Sequence, residues 1–270
     1  MQKIPAVYSD VFLTDYHTVD CESPDRVTEI YYDIKNVADF IEPEPSADSD
    51  LLLCHTEKII ESVKKSDVYD IARLAAGGAI KAAEIALTIP SFALIRPPGH
   101  HAGRDFNGGF CFFNNMAIAL MKLIRDENIE KALIIDIDLH YGNGTEDIVR
   151  GDKRISFWNI DAATRDEFFR DLERAVRTAP GFDIVGCSAG FDTYVKDWGG
   201  LLTTADFKRV SGMIVSANHR FFSVLEGGYY IPDLGINVRA YIEGIREVIG
   251  HTTVLGNREN GNRNRSEESE

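Results

Sequence analysis

Five short apolar runs recur along the chain, separated by segments with helical spacing, and this alternation constrains the fold most strongly. The runs are rich in β-branched and aromatic residues and span 93–95, 132–137, 155–158, 184–188 and 222–225. A strand that is apolar on both faces has to be covered on both faces, as in parallel sheets whose crossovers are helices. The alternation therefore predicts an α/β fold with a central, mostly parallel sheet and helices on both faces.

Four longer segments have apolar residues at helical spacing: 70–86, 114–125, 204–217 and 234–249. Neither an internal repeat nor a dividing linker interrupts the chain, so residues 1–255 are predicted to form a single domain. The last stretch, 256–270, consists mainly of Asn, Arg, Glu, Ser and Gly, which predicts a disordered tail.

The formal net charge of −14 over 270 residues argues against nucleic-acid binding, because phosphates would be repelled, and is compatible with cationic substrates. The cysteines form no C-x-x-C pair, which is typical of a reducing compartment. Since the sequence shows no signal peptide and no apolar run of membrane-spanning length, we predict a cytoplasmic protein that does not bind membranes. The oligomeric state stays open.

An acidic stretch between Asp39 and Asp50 carries five acidic and no basic residues. Its prolines and charge favour a solvated loop. The alternative is an acidic rim that attracts amines.

Polar side chains at the ends of two predicted strands have the chemistry of metal ligands. Asp138 and His140 are two residues apart, and alternate side chains of extended chain share a face. Asp192 offers a third ligand from another strand end. Such a set with an open position fits a catalytic zinc, while iron and cobalt remain possible by ligand type. The alternative is that Asp138 caps a helix and His140 is a core histidine.

A tandem histidine pair, His100 and His101, follows two prolines that restrict the backbone. Imidazoles titrate near neutral pH and can transfer protons. Asp136 is a natural carboxylate partner for one of them. Downstream, the Gly-Gly turn before Tyr229 presents a phenol that can donate a hydrogen bond to a developing oxyanion. Because ligands bind beyond the carboxyl ends of strands in α/β sheets, we expect these clusters to converge on one crevice.

At these motifs the chain resembles the histone deacetylase family, which includes acetylpolyamine amidohydrolases and prokaryotic deacetylase-like amidohydrolases. The matching stretches occur in the family's order, at 96–101, 109–114, 136–144, 188–192 and 225–229, and residues 22–26 resemble the family's N-terminal Pro-x-Arg segment. The resemblance implies a three-layer arginase/deacetylase-type α/β fold. It also implies zinc-dependent removal of an acetyl or similar acyl group from acetyl-lysine or an acetylpolyamine.

The resemblance further implies a role for each catalytic residue. His101 acts as general base and then general acid, whereas His100, held by Asp136, acts mainly electrostatically. Tyr229 binds the oxyanion. The implied zinc ligands are Asp138, His140 and Asp192.

Substrate and potassium contacts are implied in the same way. The carbonyl of Gly109 holds the amide N–H of the substrate, and Phe110 forms one wall of an acyl-lysine tunnel. The family's potassium ion lies near the zinc strand, and here its ligands are Asp136, Asp138, His140 and Ser156.

The chain also departs from the family pattern, and it is shorter than typical members between Arg26 and Asp70. Asn143 stands where many members have an Asp that partners the second histidine, so we expect a lower proton affinity of His101. The connection between Trp158 and Gly181 is short where the family has a longer loop that supplies the second tunnel wall. The acidic gatekeeper of polyamine-selective relatives is absent, and Trp198 to Gly200 occupies that region.

Two other functions remain as alternatives to an acyl-amine deacetylase. An arginase-like binuclear ureohydrolase would need additional acidic ligands beyond the one set seen here. A catalytically weak acyl-lysine binding module would not need the histidine pair, the three ligands and the tyrosine together.

Overall fold

The structure, a computed structural model, describes residues 2–267, with side chains as far as Gly250. A single sheet of seven strands organises this part of the chain. All neighbouring strands are parallel, in the order β2-β1-β3-β7-β6-β4-β5. The strands are β1 (Ile4–Val7), β2 (Ala38–Ile41), β3 (Ser91–Ala93), β4 (Ala132–Asp136), β5 (Ile155–Asn159), β6 (Ile184–Ala189) and β7 (Phe221–Leu225).

Helices connect the strands and cover the sheet. They are α1 (Asp25–Ile34), α2 (Asp48–Leu51), α3 (Glu57–Val63), α4 (Tyr69–Ala86), α5 (Asn115–Arg125), α6 (Asn143–Val149), α7 (Arg165–Thr178), α8 (Thr204–Ala217) and α9 (Ile231–Glu267). Helix α4 packs on α5 and on three strands, whereas α9 packs on α1 and α8. The predicted α/β architecture with a parallel sheet is confirmed.

The central strands are buried along their whole length, as their composition predicts. Every residue of β3, β4, β6 and β7 is buried. The small residues of α4 allow close packing: Ala75, Ala76, Ala79 and Ala83 have no exposed surface. Burial of these apolar surfaces is the main stabilising contribution, at about 25 cal/mol per Å².

The structure differs from the sequence interpretation at the acidic stretch. Residues 38–41 form the edge strand β2 rather than a loop, and Asp50 is buried, where its carboxylate accepts a hydrogen bond from Arg125 at 2.9 Å. The solvated-loop reading is therefore wrong for both ends of the stretch, because pairing with β1 orders the first residues and an ion pair holds the last.

Two further predictions concern the whole chain. No helix among residues 2–267 is both long enough and apolar enough to cross a membrane. Helix α9 continues through residues 256–267 of the predicted disordered tail, whereas residues 268–270 and the side chains after Gly250 lie outside the described part.

Candidate metal and catalytic site

Four loops meet at the carboxyl edge of the sheet because the strands that precede them are neighbours. Strands β3, β7, β6 and β4 are consecutive in the sheet, and all run in the same direction. The loops after them carry residues 94–101, 226–229, 190–192 and 137–140, respectively. The expectation that these polar clusters share one crevice is therefore confirmed.

The three predicted metal ligands form one cluster. Asp138, His140 and Asp192 each offer a ligand atom, and these atoms all lie within 4.8 Å of one another. His140 Nδ1 is 2.9 Å from Asp192 Oδ2 and 3.3 Å from Asp138 Oδ1. Both carboxylates are buried, whereas the imidazole is 43% exposed. One side of the cluster is therefore open to a reactant.

Electrostatics and close packing show that this cluster fits a cation. Burial and the nearby Asp138 carboxylate raise the pKa of Asp192 to about 7, as expected for two acids that share a site. Hydrogen bonds to Asp138 and Asp192 raise the pKa of His140 to about 10, so the carboxylates stabilise positive charge there. A Cβ on Gly227 would stand 2.7 Å from Asp138 Oδ2 and 2.9 Å from Asp192 Oδ2, so glycine leaves the space between them free.

His100 lies on the buried side of the cluster. Its Nδ1 is 3.0 Å from Asp136 Oδ2, and its Nε2 is 3.7 Å from Asp138 Oδ1. Burial disfavours the imidazolium, but the carboxylates of Asp138 and Asp136 outweigh burial and raise the pKa of His100 well above its ordinary value. The sequence-based pairing of Asp136 with one histidine of the pair is seen in the structure, and that histidine is His100.

His101 has a different environment although it is the next residue. Its Nδ1 is 2.7 Å from the side-chain oxygen of Asn143, so Nδ1 carries the proton and Nε2 keeps its lone pair. Burial and the adjacent His100 lower the pKa of His101. Because Asn143 replaces the Asp of many family members, the sequence predicts a neutral His101 imidazole at pH 7. The environment in the structure favours the same form.

Aromatic rings line a cavity of about 120 Å³ beside the histidines. Phe110 and Tyr229 meet edge to face, with ring centroids 6.0 Å apart. Phe110 has φ +67°, a strained value for a residue with a side chain, and the preceding Gly109 has φ +55°. A Cβ on Gly109 would lie 2.3 Å from the His101 ring, so this turn requires glycine. The carbonyl of Gly109 accepts a hydrogen bond from the Cys111 thiol at 3.4 Å.

Tyr229 lies beside a guanidinium group, and its phenol keeps its proton. Burial raises the pKa of its phenol, which therefore stays protonated at neutral pH. The buried guanidinium of Arg26 lies 4.8 Å from the centre of its ring. Arg26 also donates to the carbonyl oxygens of Gly228 and Glu226, and Glu22 accepts from it at 3.1 Å.

Glu226 is a buried residue whose structural role was not evident from the sequence motif. Its Oε2 accepts from the backbone N–H of Gly99 at 2.7 Å and of His100 at 3.2 Å, and its Oε1 accepts from the Ser188 hydroxyl at 3.2 Å. The carboxylate therefore connects the ends of β7 and β6 to the histidine loop. Its position directly after a buried strand was the available signal.

The structure corrects the predicted potassium ligands. Ser156 is exposed and pairs with Leu133, three residues before Asp136 along β4. Asn159 is the residue in register with Asp136, and its Oδ1 accepts from Gly142 N at 2.9 Å. The four-residue set that includes Ser156 does not fit a single ion, because parallel pairing displaces Ser156 along the strand.

The fold and the site define an α/β protein with a cluster of potential metal ligands at the carboxyl edge of its sheet, and comparison with known proteins identifies the family. The histone deacetylase domain family matches residues 20–170, more than half of the chain. The chain therefore belongs to the histone deacetylase family.

Individual relatives agree with this assignment. The acetylpolyamine amidohydrolase of Mycoplana ramosa is 31% identical over 194 residues, which are 57% of this chain and 56% of the relative. A probable deacetylase of Methanothermobacter thermautotrophicus is 36% identical over 146 residues, 48% of this chain and 44% of the relative. The chain thus spans about half the length of these curated relatives.

A solved structure confirms the fold. The crystal structure of the HDA15 HD domain superimposes with a TM-score of 0.82 at 23% identity, covering 92% of this chain and 90% of that chain. The predicted three-layer arginase/deacetylase-type fold is therefore confirmed.

Proposed function

We propose that the protein is a zinc-dependent amidohydrolase that removes an acetyl or similar small acyl group from an acylated amine. The observation that carries this proposal is the position of His101 in one cavity with His140 and Tyr229. A metal cluster, a neutral base and a phenol donor together are what amide hydrolysis needs, whereas binding alone would not need a base.

The metal would be held by Asp138, His140 and Asp192. Zinc in such a three-ligand site with an open position supplies Lewis acidity, which lowers the pKa of a water and polarises a carbonyl. Iron and cobalt suit the same ligands, and reconstitution with each metal separately decides between them.

The protein's own residues would move the protons. His101 Nε2 accepts a proton from the water whose oxygen bonds to the acyl carbon. As the C–N bond breaks, His101 returns this proton to the leaving amine. The products are a carboxylic acid and an amine, which become a carboxylate and an ammonium ion at neutral pH. The Tyr229 hydroxyl donates a hydrogen bond to the acyl oxygen as it gains negative charge. His100, buried against Asp136, contributes positive charge nearby.

The substrate class follows from charge and from the cavity. The net charge of −14 favours cationic substrates, and the cavity of about 120 Å³ has room for a small acyl group. Acetyl-lysine in a protein and an acetylpolyamine both meet these conditions. We expect no direct binding to nucleic acid.

Acetate release tests the proposal. Zinc-reconstituted protein is incubated with an acetyl-lysine peptide and, in parallel, with N-acetylputrescine. We expect turnover of at least one substrate, its loss after chelation of the metal, and its recovery with zinc. Replacement Tyr229→Phe should reduce kcat by about 10²–10³-fold through loss of one oxyanion donor. Absence of turnover of both substrates at one zinc per chain would contradict the proposal and favour an acyl-lysine binding module.

A further inference from the structure

A loop between β6 and α8, residues 193–202, places an aromatic ring at the mouth of the cavity, and we call it the wall loop. Its Trp198 stacks on Tyr229 with ring centroids 4.3 Å apart and planes 23° apart. The same indole meets His140 edge to face at 5.7 Å. Trp198 lines the cavity, and 55% of its surface remains exposed.

The wall loop is held in place by its own backbone. A parallel bridge joins Tyr194 to Leu202, and Val195 N donates to Leu202 O at 2.7 Å. Gly199 N donates to the carbonyl of Asp192 at 2.8 Å, so the loop folds back on the segment that bears a predicted metal ligand. A Cβ on Gly199 would lie 2.7 Å from the Cα of Thr193, which shows how closely the two segments approach.

A second anchor connects the wall loop to α9. Lys196 Nζ and the Tyr194 hydroxyl both donate to Asp233 Oδ2, at 2.6 and 2.9 Å. The loop is therefore fixed at both its middle and its ends.

Asp197 links this loop directly to the backbone that carries Tyr229. Its Oδ2 accepts from the backbone N–H of Tyr229 at 2.6 Å and of Tyr230 at 2.8 Å. Its Oδ1 accepts from Trp198 N at 2.8 Å. One carboxylate thus sets the positions of the indole and the phenol relative to each other.

From this geometry we propose that Trp198 is the second aromatic wall of the substrate cavity and that Trp198 and Asp197 are positioning residues for the Tyr229 hydroxyl. The inference rests on the proposed function. The wall thus comes from the loop after Asp192 and not from the short connection between Trp158 and Gly181. The space between Phe110 and Trp198 then determines which amines enter, and slender unbranched chains are favoured over rings or branched chains.

Fluorescence tests the wall without any turnover. The chain has two tryptophans, so Trp158→Phe leaves Trp198 as the single indole. The matched variant Trp198→Phe leaves Trp158, whose Nε1 donates to Asp171 on α7 at 3.2 Å. Both zinc-loaded variants are titrated with N-hydroxyoctanamide, a straight-chain hydroxamate, and its binding is measured independently by calorimetry. We expect saturating emission changes only when Trp198 is present. Unchanged Trp198 emission at saturation would overturn the wall assignment.

A double-mutant cycle tests the positioning role. Trp198→Ala should lower kcat for N-acetylputrescine by about 3- to 10-fold, the range expected from loss of one aromatic stacking contact. In the Tyr229→Phe background the same replacement should have little further effect on kcat, because the hydroxyl it positions is gone. Independent effects that multiply would overturn the positioning role. Trp198→Phe should retain more of kcat than Trp198→Ala, since a ring remains to stack.

Two further measurements test the proposal: the kcat of an Asp197 variant and the substrate selectivity of a Trp198 variant. Asp197→Asn, which is nearly isosteric, should lower kcat in the same direction as Trp198→Ala, whereas the exposed Asp161→Asn serves as the matched control. Trp198→Ala should also raise kcat/KM for N-acetylcyclohexylamine relative to N-acetylputrescine, and an unchanged ratio would contradict the wall. If the wild type turns over neither acetyl substrate, the proposed function fails, while the fluorescence titration still decides the wall.

Discussion

Two regions of the site are built by different interactions: the buried carboxylates, which we call the floor, and the rings that line the cavity, which we call the mouth. The carboxylates of the floor accept backbone N–H groups from neighbouring loops: Asp136 from Asp138, Asp138 from His140 and Gly227, Asp192 from Leu139, and Glu226 from Gly99 and His100. The mouth consists of rings in contact with rings, namely His101, Phe110, Trp198 and Tyr229.

This difference separates two properties of the site. Charge-assisted hydrogen bonds to backbone amides hold buried carboxylates at set positions, which a metal cluster requires. Ring contacts are weaker and depend on which loop delivers the ring. We therefore expect replacements in the floor to affect metal binding, and replacements at the mouth to affect rate, selectivity and pH dependence while the metal stays bound.

The largest effect is expected for Asp192→Asn in the floor. Asparagine keeps an oxygen that can accept from Leu139 N, at present 3.0 Å away, but it removes one anionic metal ligand. Zinc binding should fall well below one per chain, and acetate release should be abolished. Zinc content by atomic emission and turnover measure both effects, with Asp161→Asn as the control. A variant that keeps full zinc and full turnover would show that Asp192 is not a ligand.

At the mouth, His101→Ala should remove the base while leaving the metal. We expect kcat to fall by about 10²–10⁴-fold, the usual contribution of a general base, with zinc content unchanged. Zinc content is expected to stay unchanged here but to fall in Asp192→Asn, so comparing the two variants is the sharpest test of the difference between the floor and the mouth. Loss of zinc along with activity would contradict it.

Beneath the floor, Glu22→Gln should destabilise the fold. Glu22 is fully buried between Arg26 and Arg96, with contacts of 3.1 and 2.9 Å. Removing its charge leaves two buried guanidinium groups without their anionic partner, which should lower the free energy of unfolding by about 3–5 kcal/mol. Urea denaturation measures the change. The exposed pair Lys58–Asp105 gives the control, and Asp105→Asn should leave the transition unchanged because solvent screens that pair.

The smallest expected effect is a shift of pH dependence in Asn143→Asp. A carboxylate 2.7 Å from His101 Nδ1 would stabilise the imidazolium and raise the pKa of His101, which burial and His100 now lower. Because the neutral ring is the active base, the acidic limb of kcat/KM should move up by about 1 pH unit. A pH–rate profile checks this shift, with the exposed Asn36→Asp as control. An unchanged or lowered limb would refute the role of Asn143.

Local spacing was informative wherever one short segment contained the whole signal. The helix 204–217 was predicted with its observed bounds, and the strand 132–137 differs from β4 by one residue. The strands β1 and β2 were missed because a residue unfavourable in strands interrupts each apolar run, namely Pro5 in β1 and Asp39 in β2. Helix α7 was also missed, although Thr164 and Glu167 form the capping box that marks its start.

Contacts between two segments that are distant in the chain were harder to predict from the sequence. Ser156 was assigned to a potassium ion by a short match, but the register between β4 and β5 places Asn159 beside Asp136 instead. Trp198 was recognised only as the residue where an acidic gatekeeper is absent. Its contact with Tyr229 depends on how the wall loop folds back on Asp192.

The sequence by itself determined the type of fold and the residues of the candidate site. Alternate residues of an extended segment share a face, so Asp138 and His140 could be paired from their spacing. Runs apolar on both faces required helices on either side of the sheet. Only the tertiary structure decided that β7 lies between β3 and β6, which brings Tyr229 to the histidines, and that β6 pairs with β4, which brings Asp192 to His140. It also decided the register of β5 and the origin of the aromatic wall, because strand order and loop packing depend on contacts between residues far apart in the chain.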